Sequence, residues 1–447
     1  MKDIEDEIPF EVPEGWAWCR LNVYLDVRDG THDSPKYVES GYPFVTSKNL
    51  ENGKINFSSC KFISEKDYLR FDERSHVETD DILFAMIGSI GKPVLVKKDR
   101  EFAIKNVALF KKRSNYNYMP YVLYWLTGIE NDLRKATTGG MQPFISLSMF
   151  REMLIPIPPF EEQKDMVSRI QDITKQIDFL ETSKEDLQSA IKHAKSKILD
   201  LAIHGKLVPQ DTSEEPAGKL LEKIRAEKEA KIAAGELKRD KNDSYIYKNP
   251  SDNCHYRKYA NGQEECIESE IAFSLPDSWQ WVNLGGIFAH NTGKALNKSK
   301  LEGEYKDYIT TSNVYWDRFE LNNVSKMPFT PEEMKKCTVT KGDLLICEGG
   351  DVGRSNIWDK DYDICIQNHL HRLRAFVPVE TKLFYYWLML FKQHNMIIGK
   401  GIGLMGFSSS LVHNLLIPLP PLAEQNRIVS KIEEIFGILD TINNNLE

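Results

Sequence analysis

The sequence has no run of roughly 20 apolar residues, which is the length a helix needs to cross a bilayer. Its first six residues contain three acidic side chains and one lysine, whereas a signal peptide begins with basic residues and continues with apolar ones. Seven cysteines make an odd number and form no CxxC pair, which argues against a disulfide framework and a zinc ribbon. These absences predict a cytoplasmic protein with reduced thiols and no membrane contact.

Signatures of catalysis are also missing. The nearest match to a GxxxxGK[ST] phosphate loop, residues 88–93, has the wrong spacing and ends in a proline. Neither HExxH nor GxSxG occurs. Residues 157–160 resemble the Asn/Asp-Pro-Pro-Tyr/Phe motif of amino-methyltransferases, but Ile157 replaces the polar residue that would bind the target amine. A rigid turn before a helix is the better interpretation of this segment.

Metal binding is equally poorly supported. His290, His369 and His371 could in principle bind a metal, yet no Cys or carboxylate recurs at ligand spacing. We therefore expect core or solvated histidines and no metal site.

The charge balance counts against a nucleic-acid partner when it is taken alone. The 447 residues carry a formal net charge of −8, whereas phosphate neutralisation needs clustered Lys and Arg. Net charge is a sum over the whole chain, however, so a basic strip on each domain or a basic partner is compatible with it. Other observations have to outweigh the acidic total.

What the chain does contain is a long internal repeat. Four segments return in the same order, about 262 residues further on, and the offset drifts by no more than two residues. This period is far too long for a solenoid, whose repeats span roughly 20 to 50 residues. The matches are 13–18 with 276–281, 45–50 with 309–314, 81–92 with 343–354, and 155–163 with 417–425. The chain is a duplicated domain, and we expect each half to act on its own target.

The repeat sets the predicted architecture, an α+β fold with two tandem mixed α/β domains separated by long antiparallel coiled-coil helices. Strands are predicted at 42–45 and 82–87, and helices at 119–133 and 382–396. The predicted segments are 1–155 for the first domain, 156–205 for a central helix, 206–268 for a charged helix and a polar linker, 269–417 for the second domain, and 418–447 for a short C-terminal helix.

Both repeats end in a helix with a coiled-coil seam, because apolar residues alternate at steps of three and four. The registers agree, which favours antiparallel pairing within the chain. Packing of each helix on its own domain is less favoured, since about 45 residues would span roughly 68 Å. The second helix is about 20 residues shorter, so part of the first seam is expected to meet a partner. The seam residues are Ile170, Ile173, Ile177, Leu180, Leu187, Ile191, Ile198, Ile428, Ile432, Ile435, Leu439 and Ile442.

Polar, glycine-rich loops also recur. They lie at 46–49, 88–92 and 138–143 in the first repeat, and at 311–313, 349–354 and 400–406 in the second. Glycine lets the backbone approach a phosphate, Lys and Arg neutralise it, and Asn, Gln, Ser and Thr can read base edges. For any one residue a solvated loop is as good an explanation. The recurrence with diverged surroundings indicates two recognition sites of different specificity.

Several stretches together resemble the DNA specificity subunit of type I restriction-modification systems. They are 29–37, the Asp-Ile-Leu and Asp-Leu-Leu strands at 81–83 and 343–345, the Pro-Pro-x-x-Glu-Gln junctions, and the central segments 203–211 and 220–228. The resemblance covers nearly the whole chain. It implies two target recognition domains that each read one half of a bipartite, asymmetric site in double-stranded DNA, with the helices as a ruler for the gap.

The same resemblance implies no catalysis and no cofactor in this chain. Two methyltransferase subunits are expected to dock on the helices and bring S-adenosylmethionine, and restriction subunits with motor and nuclease activity are expected to bring ATP and Mg²⁺. Two alternatives remain open. One is the specificity part of a fused modification enzyme, which the missing cofactor motifs disfavour, and the other is a protein-interaction scaffold that has lost DNA reading.

Within this family assignment, the candidate DNA contacts are the polar and basic residues in and beside the recurring loops. In the first repeat they are Thr31, His32, Lys36, Thr46, Ser47, Lys48, Asn49, Ser89, Lys92, Gly139, Gly140, Gln142 and Ser146, and in the second they are Lys294, Thr311, Ser312, Asn313, Arg354, Lys400 and Ser408.

Overall fold

The computed structural model describes residues 4–136, 144–239, 243–296, 302–397 and 406–446. The chain forms two compact units, Met1–Thr182 and Ser183–Glu447, and the division falls inside one long helix. Each unit contains one of the two sequence repeats and its own buried cores. None of the helices within these ranges is both long enough and apolar enough to span a bilayer.

The first repeat consists of short strands and helices. Its strands are β1 (Ala17–Arg20), β2 (Leu25–Asp29), β3 (Tyr42–Val45), β4 (Leu50–Glu51), β5 (Lys54–Ile55), β6 (Lys61–Ile63), β7 (Ile82–Ala85), β8 (Gly91–Leu95), β9 (Ala103–Ile104), β10 (Val107–Lys112) and β11 (Leu154–Ile157). Its helices are α1 (Leu21–Tyr24), α2 (Glu65–Ser75), α3 (Met119–Gly128), α4 (Glu130–Ala136) and α5 (Leu147–Glu152). The strands form a four-stranded sheet β2-β10-β7-β8, a three-stranded sheet β6-β3-β9, and the pairs β1-β11 and β4-β5.

A helical region and a small sheet follow. They are α6 (Phe160–Ile203), α7 (Ala217–Ala233), and the strands β12 (Ser244–Lys248), β13 (His255–Tyr259) and β14 (Glu264–Cys266), which pair in that order. The sheet lies where the sequence predicts a polar linker. Few buried side chains hold this sheet in place, mainly Ile246 and Ile267, which pack against Trp281. Its strands consist largely of tyrosines and charged residues, so they lack the alternation of apolar and polar residues by which a strand is recognised in a sequence.

The second repeat follows the same plan as the first. Its strands are β15 (Gln280–Asn283), β16 (Phe288–Thr292), β17 (Glu304–Ile309), β18 (Ser325–Phe329), β19 (Thr338–Val339), β20 (Leu344–Cys347), β21 (Ser355–Ile357), β22 (Ile364–Ile366), β23 (Leu370–Ala375) and β24 (Leu416–Leu419). Its helices are α8 (Leu284–Ile287), α9 (Pro331–Cys337), α10 (Thr381–Gln393), α11 (Ser409–His413) and α12 (Leu422–Asn444).

Strand order confirms the duplication. The sheet β2-β10-β7-β8 is matched by β16-β23-β20-β21, and the pair β1-β11 is matched by β15-β24. The smaller sheets β6-β3-β9 and β18-β17-β22-β19 share the parallel pairing of β3 with β9 and of β17 with β22. The predicted fold, two tandem mixed α/β domains joined by a long helix, is confirmed.

The two most recognisable repeated motifs hold each other. In the first repeat the Trp16 indole donates a hydrogen bond to the Glu162 carboxylate at 3.1 Å, and in the second Trp279 donates to Glu424 at 2.9 Å. Burial raises the pKa of Glu424. The neighbouring glutamine, Gln163 or Gln425, donates a side-chain hydrogen bond at 2.9 Å to the carbonyl of the proline that directly follows the preceding strand. The tryptophan and Pro-Pro-x-x-Glu-Gln motifs therefore fasten the end of each domain to its helix.

Each repeat also has a close backbone crossing that only glycine allows. A Cβ at Gly30 would lie 2.3 Å from the Ile104 carbonyl oxygen, and a Cβ at Gly293 would lie 2.2 Å from that of Ile366. Beyond the glycine, Thr31 pairs with Lys105 and Lys294 pairs with Gln367 in parallel bridges. This crossing carries the chain from the larger sheet to the smaller one in both domains.

The long helix pairs with α12 in an antiparallel manner, as predicted. Leu199, Ala202 and Ile203 share a buried cluster with Ile428 and Ile432. Lys195 forms an ion pair with Asp440, and the Pro209 carbonyl accepts a hydrogen bond from Arg427 at 2.8 Å. The sequence positions thus run in opposite directions along the two helices.

Further towards its N-terminus, α6 is exposed on all sides. Residues 171–187 are exposed throughout, and the apolar seam there stays in solvent, with Ile173 57%, Ile177 49%, Leu180 65% and Leu187 41% exposed. Phe179, outside the seam, is 71% exposed. The pairing of α6 with α12 therefore buries only the C-terminal part of the apolar seam that the sequence predicts for α6.

One predicted helix is divided. The segment 119–133 forms α3 and α4, which meet at Ile129, while its counterpart α10 is continuous from Thr381 to Gln393. Apolar spacing spans the break in the first repeat, so the spacing alone does not reveal where one helix ends and the next begins.

Candidate nucleic-acid interface

In each repeat, three loops meet at the ends of the sheet strands. In the first repeat, β4 and β5, which follow the loop 46–49, contact β8, on which Lys92 lies. The chain at Phe144 bridges to Ile87, and the Ile145 amide donates to the Met86 carbonyl. We call the residues 46–49, 86–92 and 144–146 the first loop face, and their counterparts 310–313, 348–354 and 406–408 the second loop face.

The loops of the second loop face also contact one another, through different side chains. The Arg354 guanidinium donates to the Thr311 carbonyl at 2.5 Å and lies 4.4 Å from the centre of the Tyr315 ring. The Phe407 amide donates to the Glu348 carbonyl at 2.8 Å, which matches the link between Ile145 and Met86. Arg354 is half-buried, and its Nε has no hydrogen-bond partner in the described structure. Its terminal nitrogens are therefore held in place beside Thr311.

Asn49 and Asn313 have structural roles instead of facing outwards. Asn49 is 4% exposed, and its side chain bonds the Thr46 amide and hydroxyl at 2.9 Å each and the Ser59 hydroxyl at 3.1 Å. Asn313 is 5% exposed and bonds the Thr310 amide at 2.9 Å and the Glu320 carbonyl at 2.7 Å. Both side chains close a capping box on a short 3-10 helix. We correct their predicted role from DNA contact to loop support.

Lys294 is also used inside its domain. Its ammonium lies 2.6 Å from the Glu333 carboxylate and 2.7 Å from the Pro328 carbonyl, and its side chain is only 12% exposed. A charge that is already paired and shielded is poorly placed to neutralise a phosphate. This prediction is corrected in the same way.

The lysines of the first repeat are differently placed. Lys48 and Lys36 are exposed and Lys92 is half-buried, and within the described residues none of the three has a carboxylate partner. Ser47 and Ser89 lie beside them, with Ser89 exposed in the turn after Gly88. These lysines are therefore exposed or half-buried cations without a paired carboxylate among the described residues, on a chain that is acidic as a whole.

A cluster beside the first loop face adds an imidazole to it. His32 is 59% exposed, and its ring nitrogens lie 3.0 Å from an Asp29 carboxylate oxygen and 2.6 Å from the Asn106 side-chain oxygen. Asp29 is buried and also bonds Arg74 at 2.5 Å. His32 borders a hollow of about 240 Å³ together with Met86, Ile87, Phe144 and Ser146. His32 and Ser146 are among the residues predicted from the sequence, whereas Asp29 and Arg74 are not, because a pairing across 45 residues leaves no local pattern.

The remaining predicted residues have mixed positions. Thr31 accepts a hydrogen bond from the Asp33 amide at 3.1 Å, and Ser146 caps α5 by accepting from the Met149 amide at 3.2 Å. Ser408 precedes α11, is exposed and makes no cap bond with its side chain. Ser312 is exposed and Thr46 and Thr311 are half-buried. Gly139, Gly140, Gln142 and Lys400 lie outside the described residues.

One buried carboxylate precedes the central strand of the larger sheet in each repeat. Asp81 accepts hydrogen bonds from Lys111 and from the Glu78 amide at 2.7 Å each, and burial raises its pKa. Asp343 occupies the matching place and accepts from the Thr340 amide at 2.8 Å and from Arg374 at 2.6 Å. The hydrogen bond to Asp343 raises the pKa of Arg374. The repeated Asp-Ile-Leu and Asp-Leu-Leu motifs therefore fix the turns at 78–81 and 340–343, which lead into β7 and β20.

The histidines noted in the sequence behave as core and surface residues. His371 is fully buried, bonds the Phe407 carbonyl at 2.7 Å and lies 2.9 Å from His290, and burial lowers its pKa. His369 faces the Glu348 carboxylate at 3.3 Å. Over the ranges that the structure describes, no group of three His, Cys, Asp or Glu side chains is arranged to hold a metal ion.

Comparison with known families decides what these paired faces belong to. The family model described as the type I restriction modification DNA specificity domain matches residues 26–189 and again residues 276–447, one match for each repeat. The chain belongs to this family. As a type I specificity protein it is a DNA sequence-specificity subunit, which provides recognition in the enzyme complex and not its catalysis.

Curated relatives agree in name and in extent. The chain is 21% identical to the type I restriction enzyme EcoAI specificity subunit of Escherichia coli, over 96% of this chain and 79% of that protein. It is 23% identical to the putative type I restriction enzyme MjaX specificity subunit of Methanocaldococcus jannaschii, over 96% of this chain and 89% of that protein.

A solved structure supports the fold of this specificity subunit. The crystal structure of the HsdS subunit from Thermoanaerobacter tengcongensis matches with a TM-score of 0.57 at 18% identity, over 98% of this chain and 93% of that one. At this level of identity the likeness establishes the fold, including the tandem arrangement of the two domains.

Proposed function

We propose that each repeat reads one half of a bipartite, asymmetric sequence in double-stranded DNA through its loop face. The observation that carries this proposal is the presence of two loop faces on the same frame, with different side chains at matching places. Lys92 is matched by Arg354, and Ser47 and Lys48 are matched by Thr311 and Ser312. A shared frame with divergent loops is what two readers of two different half-sites require.

The proposed contact set separates phosphate binding from base reading. Lys36, Lys48, Lys92 and Arg354 are assigned to phosphates, because each is a cation without a carboxylate partner among the described residues. Side chains that can donate or accept hydrogen bonds are assigned to base edges. They are Thr31, His32, Thr46, Ser47, Ser89, Ser146, Thr311, Ser312 and Ser408, and the predictions for Gly139, Gly140, Gln142 and Lys400 are kept beside them.

The helices are proposed to fix the distance between the half-sites and to bind two methyltransferase subunits, through which restriction subunits join. The exposed apolar seam at 171–187 supports this assignment, since an exposed apolar stripe on a long helix marks a binding surface. S-adenosylmethionine, ATP and Mg²⁺ are then supplied by these partners, in the cytoplasm. The proposed domains keep the predicted boundaries of 1–155 and 269–417, with α7 and β12–β14 within 206–268.

Genome-wide adenine methylation tests the proposal. The chain is coexpressed with its neighbouring methyltransferase in a host without that activity, and modified adenines are mapped by single-molecule sequencing. We expect a split, gapped motif that is modified on both strands. A combined Ser47→Ala and Lys48→Ala variant is expected to alter or weaken one half of the motif only, with Lys66→Ala on α2 as an exposed control. A stable complex that methylates no motif would contradict the proposal and favour a scaffold.

A further inference from the structure

The second repeat covers one of its surfaces with a helix and a sheet from the same chain. Trp281, on β15, is 4% exposed beneath Ile246 and Ile267 of the β12–β14 region, and it lies 5.1 Å from the Phe273 ring. Next to it, Leu220 and Ile224 of α7 pack into the same core as α8. We call Phe273, Trp281 and α8 the covered face.

A charged contact completes this covering. Arg257, on β13, donates to the Glu270 carboxylate at 2.7 and 3.2 Å, and it is only 8% exposed. Two residues before Arg257 on the same strand, the ring of His255 lies 2.8 Å from the Glu268 carboxylate. The acidic segment that leads into the second repeat is thus bound by basic side chains of the small sheet.

The described residues of the first repeat contain the matching aromatic pair, with Phe10 exposed. Phe10 and Trp18 occupy the places of Phe273 and Trp281 and form the same aromatic pair, with ring centres 4.9 Å apart. Phe10 is 59% exposed and Val23, on α1, is 66% exposed, while Trp18 is half-buried. We call Phe10, Trp18 and Val23 the open face. An aromatic and aliphatic patch of this kind on a soluble domain indicates a binding surface.

The segment beside the open face is acidic, like the one beside the covered face, although Glu7 is already paired within its own domain. Glu7 occupies the place of Glu270, and it contacts Arg20 at 2.6 Å. Residues 4–19 contain five Asp or Glu residues and no Lys or Arg. The open face therefore lies beside an acidic segment, as the covered face does, and a basic occupant would complement it.

We infer that the open face of the first repeat is a docking site for a partner subunit, which covers it with a basic helix and β-hairpin, as α7 and β12–β14 cover the second repeat. An aliphatic side chain of the hairpin packs on Trp18, and a basic side chain binds the exposed carboxylates of Glu11 and Glu14. This surface is separate from the loop faces and from the exposed seam at 171–187. The inference rests on the proposed function only in requiring a protein partner, for which the methyltransferase subunit is the candidate.

Photo-crosslinking in the assembled complex tests the inference. Phe10 is replaced by p-benzoylphenylalanine in the full chain, which is then coexpressed with its methyltransferase, purified and irradiated. We expect a crosslink to one methyltransferase peptide that contains basic residues and strand-forming aliphatic residues. A crosslink to a second copy of this chain, or none in a complex that is otherwise intact, overturns the inference.

Charge insertion gives a second, quantitative test. Phe10→Glu combined with Val23→Glu is expected to weaken methyltransferase binding by about tenfold or more, since anchor residues at the centre of an interface dominate its affinity. Leu69→Glu on α2 is the matched control, because Leu69 is similarly exposed at 56% but lies in another region. Circular dichroism and thermal unfolding check that both variants fold. Unchanged binding by the double variant contradicts the inference.

The two proposals fail separately in these experiments. A complex that methylates a split motif but shows no crosslink at position 10 and tolerates the double substitution sinks the docking site alone. A complex that crosslinks at position 10 but methylates nothing sinks the DNA-reading proposal and leaves the docking site supported.

Discussion

In the first repeat the carbonyl of Pro156 accepts a hydrogen bond from the Tyr121 hydroxyl at 2.6 Å, whereas in the second the matching Pro418 carbonyl accepts one from the Trp387 indole at 3.2 Å. Similarly, Lys111 bonds Asp81 where Arg374 bonds Asp343. Each buried acceptor is satisfied in both domains, but by a different donor. A buried polar group therefore requires a hydrogen-bond partner, but the residue type that supplies this partner can differ between the two repeats.

The two loop faces differ in the chemistry of the side chains that they present. The first presents lysines without carboxylate partners and a histidine in a polar cluster, while the second holds an arginine against a carbonyl and an aromatic ring. The strands and helices thus have the same positions in both repeats, while the side chains of the loops differ in chemistry. This comparison of the two repeats can be broken or sharpened by matched substitutions in each of them.

The largest expected effect concerns the matched tryptophans Trp387 and Trp125. Trp387 is fully buried and Trp125 is half-buried. Trp387→Ala is expected to destabilise its unit by about 3–5 kcal/mol, because it leaves a cavity and an unpaired Pro418 carbonyl. Trp125→Ala is expected to cost roughly half as much. Denaturant-dependent hydrogen exchange in β20 and β7 measures each unit separately, and equal losses would show that the two cores are more alike than their burial indicates.

The capping asparagines are expected to show the next largest effect. Asn49→Ala and Asn313→Ala each remove a buried side chain that bonds its own loop, so each is expected to lower stability by about 1–3 kcal/mol. Because neither side chain faces outwards, the methylated motif is expected to stay the same. Thermal unfolding and methylation mapping test the two halves of this prediction. A changed motif with unchanged stability would return both residues to the contact set.

Charge reversal compares the loop faces directly. Lys48→Glu with Lys92→Glu is expected to weaken DNA binding by about tenfold or more and to lower the salt dependence by about two phosphate contacts. Arg354→Glu is expected to remove about one contact. Binding isotherms of the methyltransferase complex at several salt concentrations give both slopes, with Lys66→Glu as the exposed control. An unaltered slope in both variants would mean that these cations do not touch phosphate.

The smallest expected effect is a difference in acid sensitivity. The pKa of His371 is lowered from 6.5 by burial, so above pH 6.5 both the folded and the unfolded forms are neutral and no stability is lost. As the pH falls below 6.5, the unfolded histidine binds a proton that the folded one resists, and the second unit loses stability. The first repeat has Ala108 at this place. His371→Ala is expected to flatten the pH profile of the second unit between pH 7 and 5, measured by hydrogen exchange.

Much of the architecture follows from sequence alone, because duplication supplies an internal comparison. The repeat, the mixed α/β class, the long helix and its antiparallel pairing with α12 are all predicted and confirmed. The sheet β12–β14 is not predicted, since its buried contacts are three apolar side chains and its strands consist largely of tyrosines and charged residues. The break at Ile129 escapes prediction for a related reason, as both helices share one apolar spacing.

The candidate site shows where the comparison of repeats misleads. Asn49 and Asn313 recur in both loops, and recurrence made them attractive as DNA contacts. They recur because both loops need the same support from behind. His32 could be singled out, but its partners Asp29 and Arg74 are brought together by folding across distant segments, which no spacing rule expresses.

The capping boxes also bear on how such a protein changes over generations. The Ser312 hydroxyl contacts that of Thr310 at 2.7 Å, but Asn49 and Asn313 hold the backbone of their loops without help from the Ser47, Lys48 or Thr311 side chains. Substitutions at those outward positions are therefore nearly neutral for folding, and they can accumulate under selection for a new target alone. A lineage can drift from one recognised sequence to another through variants that all remain folded, provided that the two asparagines stay.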